Sequence, residues 1–229
     1  MTRGKADSLI NGVVLYGSCA REDTDSASDK DVCVFASKEC RTTEEQVRQC
    51  ASDLPSGTLS ITTYSQTQLE AMLSYGSLFL WHLKLEGRIL YGNSFIIGNF
   101  LMLRPFSKHH DEIAYHREIF SDLTESISRR YLPNEFDLAV LSTIARNTCM
   151  VLAHKGGVCA FGRNDSYNAA SYVYSDLPLS RQTYILLTQW KLVYERGAGL
   201  EMRLPSHELF REIAKEIGSL LSYAEIKTT

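Results

Sequence analysis

The chain has no excess of charge of either sign worth the name: 24 lysines and arginines face 27 acids across 229 residues, a formal net charge of −3. That balance argues against a protein that tracks extended nucleic acid, whose affinity rests on a basic footprint and counterion release. Local groups at Arg129-Arg130 or Arg163 can at most hold a short RNA end, and ordinary surface arginines are the simpler reading. None of the six cysteines, Cys19, Cys33, Cys40, Cys50, Cys149 and Cys159, belongs to a C-x-x-C pair. Neither a zinc ribbon nor a secreted disulfide scaffold is therefore indicated, and most of the thiols read as small buried apolar residues. No apolar stretch looks long enough to cross a bilayer, and Met1 to Ser8 is too polar for a signal peptide, so no membrane partner and a cytoplasmic location are expected.

What is present is a core-forming composition, 44% hydrophobic, enough for one or two domains. The informative stretch is Leu15-Tyr16-Gly17-Ser18-Cys19-Ala20-Arg21, closed by Ser28-Asp29-Lys30-Asp31-Val32. Val13 to Tyr16 is an apolar run that enters a Gly-Ser turn, and Lys30 to Phe35 reads as a second strand. Residues two apart on a strand share a face, so Asp29 and Asp31 project side by side. Two like charges that close call for a cation between them, and magnesium is the candidate. Hard divalent ions are held by one or two carboxylates plus substrate phosphates, and the Gly17-Ser18 turn can offer those phosphates N–H groups and a hydroxyl. Cys19 lies in this turn, where N–H dipoles can lower a thiol pKa, although packing is the simpler role.

Gly17-Ser18, Ala20-Arg21 and Ser28-Asp29-x-Asp31, in that order between apolar runs, resemble the GS…DxD signature of the DNA polymerase β-like nucleotidyltransferase superfamily. The likeness is to its minimal and antibiotic-modifying branch, which reads GSxARG…SDxD. Glu22 replaces the usual glycine, and Lys30 separates the acids where an apolar residue is commoner. A second likeness covers His82 to Gly92, which looks like the segment where a helix ends in glycine before the last strand of that domain. The resemblance implies a nucleotide held at Gly17, Ser18 and Arg21, with Asp29 and Asp31 as catalytic magnesium ligands. It also implies a third carboxylate from the next strand, here Thr58 to Tyr64, which carries no acid. Ser60 or Thr62 stands at the expected position, and Asp53, Glu70 and Glu86 are substitutes that spacing does not rank.

The expected reaction is attack of an acceptor hydroxyl on the α-phosphorus of an NTP, ATP ahead of the others, with the acceptor on a protein, an RNA end or a small molecule. The alternative is a catalytically inactive nucleotide-binding protein, regulatory or antitoxin-like. A homodimer is allowed by either reading.

The chain changes character near Pro105. The expected organisation is mixed α+β: a small nucleotidyltransferase mixed sheet with flanking helices over residues 1–104, followed by a helical substrate-recognition bundle over 105–229. In the first part, helices are predicted within Thr42 to Asp53, over Gln66 to Leu73 and over Ser77 to Leu85, with a strand at Arg88 to Tyr91. In the second, helical patterns run over Ile113 to Tyr131, from an Asn134 cap to Gly156-Gly157, over Gln182 to Glu195 and onward from Ser206. The stripe Leu209, Ile213, Ile217, Leu220 reads as core. Arg146 and His154 resemble the R…H pair of HEPN ribonucleases, but the seven residues from Asn147 to Ala153 set them on different helical faces. His109-His110-Asp111-Glu112 with His116 offers metal-type ligands without forming H-E-x-x-H, and a solvated helix start is preferred. Phe161 to Asp165 reads as a loop between helices.

Overall fold

The computed structural model describes residues 9–20, 30–130, 132–196 and 203–229. It divides into two compact units, the first ending at Ser107 and the second beginning at Lys108. The architecture is mixed α+β, with a four-stranded mixed sheet in the first unit and a helical second unit.

The sheet is built from β1 (Ile10–Tyr16), β2 (Lys30–Ala36), β3 (Leu59–Ser65) and β4 (Arg88–Tyr91), in the spatial order β3-β2-β1-β4. β1 is antiparallel to both β2 and β4, while β2 runs parallel to β3. The middle strands have little polar alternation because both of their faces are covered. On one face Val13, Leu15, Val32 and Val34 pack with Val47 and Ala51 from and just beyond α1 (Glu44–Cys50). On the other, Val14, Cys33 and Phe35 pack against α2 (Gln66–Tyr75), α3 (Leu78–Glu86) and α4 (Asn93–Leu101) through Leu69, Leu80, Leu83 and Ile96. Thr43 and Ser65 start α1 and α2 with capping boxes closed by Gln46 and Gln68, each satisfying amides that a helix start leaves open. The sequence offers no signal for α4: NSFIIGNFL has no polar stripe and carries an internal glycine.

The second unit comprises α5 (His109–Arg130), α6 (Glu135–Lys155), α7 (Asp165–Val173), α8 (Arg181–Arg196) and α9 (His207–Thr228). α6 is its axis. Among the described residues it is the one helix that passes for a bilayer span by length and composition, contrary to the sequence expectation, with 67% of that stretch buried. Its Leu138, Leu141, Ile144, Val151 and Leu152 belong to the core, so the apolarity is consumed by packing. The α6 start is a buried polar joint. Asp137, 2% exposed, accepts from the Asn134 amide at 2.7 Å and from Arg130 Nη2 with both oxygens at 3.0 Å. Arg130 is thereby a structural arginine, and Arg129 pairs with Glu125 one turn back.

His116 of α5 is buried against α6, with Nδ1 3.1 Å from Thr148 Oγ1. Burial pushes its pKa down to about 4 from an ordinary 6.5. Above pH 6.5 the ring is neutral in both folded and unfolded chains; between 6.5 and 4 only the unfolded chain takes the proton, so stability falls as pH falls. His109, also lowered to about 4 by burial and by His154 3.0 Å away, acts in the same sense. Chemical denaturation from pH 7 to 4 should show a loss to which His116 contributes roughly 3 kcal/mol, and His116→Gln should flatten it. An unchanged slope in that variant would show that the ring is not held neutral.

Candidate functional site at the end of the sheet

β1 leaves the sheet at Tyr16 and turns at once through Gly17–Cys19, a single 3-10 turn closed by the Ala20 amide on the Gly17 carbonyl at 3.2 Å. Gly17 has φ +73°, a left-handed conformation that a side chain disfavours. Space is as decisive as torsion here, since a Cβ on Gly17 would lie 2.6 Å from Asp31 Oδ2. The turn and the acid are thus in contact, because Tyr16 and Asp31 are register partners across β1 and β2. Of the five residues expected at this site, Gly17, Ser18 and Asp31 are brought together, while Arg21 and Asp29 lie outside the described residues.

Strand alternation places Asp31 on the same face as Cys33 and Phe35, and Lys30 on the other. The Lys30 ammonium goes to the β3 approach, where it takes up the space a Cβ on Gly57 would need. The unusual lysine between the two acids is therefore accommodated away from the carboxylate. Cys19 likewise packs with the Val13 and Leu15 cluster on the face opposite Asp31.

Ser60 is the β3 residue in register with Asp31, and Thr62 is in register with Cys33, one step further from the turn. The position beside Asp31 is thus a serine. Tyr16, on the same face, has its hydroxyl pushed up to about 12 by burial, with the Thr62 side chain pulling down and the Asp31 carboxylate adding to the rise. It stays a neutral phenol at physiological pH. Its ring meets Phe79 and His82 edge-on, at centroid separations of 5.3 and 5.7 Å.

His82 in turn neighbours a carboxylate. Its Nε2 is 3.3 Å from Glu86 Oε2, one turn on along α3. The other two substitutes considered for the missing acid are used elsewhere. Glu70 is exposed on α2 and accepts from Gln66, and Asp53, bonded to Ser52, follows the helix on the opposite face. The i,i+4 spacing of His82 and Glu86 is legible in sequence; that Tyr16 meets the histidine edge-on is a tertiary fact that no local pattern announces.

Among the described residues there is no group of three or more histidine, cysteine or acidic side chains able to hold a metal alone. The N-terminal part of α5 illustrates why: His109 contacts His154 and His116 contacts Thr148. Arg146 and His154 also part company, the former donating to the Phe161 carbonyl. A carboxylate beside a glycine turn, with hydroxyls nearby, suits an ion that arrives with substrate phosphates and retains waters.

The apposition of Gly17 and Asp31 is separable by a double-mutant cycle. Gly17→Ala should destabilise the full chain by about 1–2 kcal/mol from torsion alone, and by more while the carboxylate occupies the Cβ position. In an Asp31→Ala background the same change should cost less, as read by chemical denaturation. Equal costs in both backgrounds would mean that the turn and the acid are not in contact.

Comparison of the chain with protein-family models and with curated proteins gave no match.

Proposed function

We propose that the chain is a magnesium-dependent nucleotidyltransferase, similar to the DNA polymerase β-like superfamily, that moves a nucleoside monophosphate from an NTP to a hydroxyl acceptor. The observation that carries this reading is the glycine turn packed on the Asp31 carboxylate at the end of a mixed sheet. The Gly17-Ser18 turn would bind the triphosphate through backbone N–H groups and the Ser18 hydroxyl, with Arg21 adding charge. Asp31, with Asp29, would hold magnesium entering with the nucleotide; when bound, it offsets negative charge on the phosphates. The acceptor oxygen forms its bond to the α-phosphorus as the α–β bridging P–O bond breaks, and pyrophosphate carries away that electron pair.

The acceptor proton requires a base, and β3 supplies none. We assign that role to Glu86, whose carboxylate lies 3.3 Å from the ring nitrogen of His82, the histidine that meets the Tyr16 ring. Tyr16, kept neutral, would remain a hydrogen-bond donor beside the phosphates. None of the six cysteines, all among the described residues, is in a disulfide, which fits a reducing, cytoplasmic setting, and ATP is the first nucleotide to try. The acceptor is to be sought among proteins, RNA ends and small molecules, and the active species as monomer or homodimer. The second reading, a nucleotide-binding regulatory or antitoxin-like protein without turnover, is favoured by one observation: a serine stands in register with Asp31 where a third carboxylate would complete the site.

Incubation with labelled ATP, GTP, CTP and UTP, magnesium and cell extract should release pyrophosphate and label an acceptor. Asp31→Ala should abolish transfer, and Glu86→Gln should lower it by roughly 10²–10⁴ if it removes the base. Ser60→Asp should raise magnesium affinity more than Thr62→Asp does, because only Ser60 is in register with Asp31. Full activity in Asp31→Ala would overturn the assignment, while magnesium-dependent nucleotide binding without transfer would select the second reading.

A further inference from the structure

The helical unit holds a cavity of about 360 Å³ between α5, α6 and α8, within the size range of small-molecule sites. Its rim carries three aromatic rings left open to solvent: Tyr115 at 58% exposure, Phe136 at 53% and Tyr194 at 46%. Phe136 and Tyr194 meet at 5.9 Å, inclined by 63°, so two ring systems from different helices form one wall. Three large rings around one hollow are more than the scattered apolar exposure of an ordinary surface.

The charges in this cavity have a definite sign. Lys191 is occupied: its Nζ is 3.0 Å from Thr143 Oγ1 and 3.5 Å from Glu195 Oε1. His116 is neutral and bonded to Thr148. Glu112 has no hydrogen bond or ion pair to its carboxylate among the described residues, and its loss of water against the wall raises its pKa. Lys108, one turn earlier, eases that rise but does not line the cavity. Among the described lining residues, two carboxylates against one ammonium leave a single negative charge, located at Glu112 beside the aromatic rim.

We infer that this cavity binds an amphipathic monoamine: its apolar body lies against Phe136 and Tyr194, and its ammonium sits between the Glu112 carboxylate and the Tyr115 ring. A cation is attracted both by the carboxylate and by the negative faces of the rings, whereas an anion would meet repulsion from both. The site lies wholly in the helical unit and stands independently of the nucleotidyl-transfer reading.

The test is an NMR titration of the full chain with phenethylamine, phenethyl alcohol and 3-phenylpropionate, three probes of similar body and different charge. Phenethylamine should give saturable shifts at the amides of Tyr115, Phe136 and Tyr194, and bind about tenfold more tightly than the alcohol, with the acid weakest. Glu112→Gln, which removes the charge and keeps the side chain's size, should remove the preference of amine over alcohol. Tyr115→Ala should weaken the amine more than the alcohol. The proposal is overturned if phenethylamine gives no saturable shift up to about 10 mM, if its shifts map elsewhere, if the acid or alcohol binds as tightly, or if Glu112→Gln keeps the preference.

Discussion

The antiparallel pairing of β1 with β2 is the constraint from which the candidate site follows. Val13, Val14, Val32, Cys33 and Val34 are all fully buried, and successive residues serve opposite clusters. A one-residue slip would exchange the two faces of a strand and carry Asp31 to the side of Leu15 and Val47. Burial of both faces therefore holds Tyr16 opposite Asp31, and the glycine that follows Tyr16 has no alternative but to turn against that carboxylate. The parallel pairing of β2 with β3 extends the same argument by one strand, setting Ser60 beside the acid.

This geometry gives the site an asymmetric character. One flank of Asp31 is polar, with an exposed serine in register with it. The other is aromatic, with Tyr16 wedged against Phe79 and His82 and its phenol held protonated. In the proposed chemistry, the serine flank would face substrate, while the aromatic flank leads through His82 to Glu86. On that proposal, a carboxylate from α3 would stand in for the one that β3 does not carry.

Much of the fold was legible because its signals are local. The Thr43, Ser65, Asn134 and Ser206 caps all stand at helix starts, and the strand at Arg88–Tyr91 follows a glycine break where the reading placed it. α4 was missed because an apolar segment buried along much of its length shows no period, and α7 because Gly162 and Asn164 signal a turn that only introduces a helix. The candidate site was legible to the extent that it lies on β1, β2 and β3. Its register, its Tyr16 neighbour and the position of His82 depend on which strands pair, which side-chain pattern does not encode. Asp29 and Arg21 lie outside the described residues, and their part in the site rests on the sequence resemblance.

The central claim is that the Gly17 turn and Asp31 form one magnesium-dependent nucleotide site. Its most direct measurement is an amide NMR titration of the full chain with a non-hydrolysable ATP analogue, with magnesium and then with excess chelator. The account predicts shifts concentrated at Gly17, Ser18, Asp31 and Ser60 that vanish when the metal is removed. Shifts confined to other residues, or unchanged by the chelator, would contradict it.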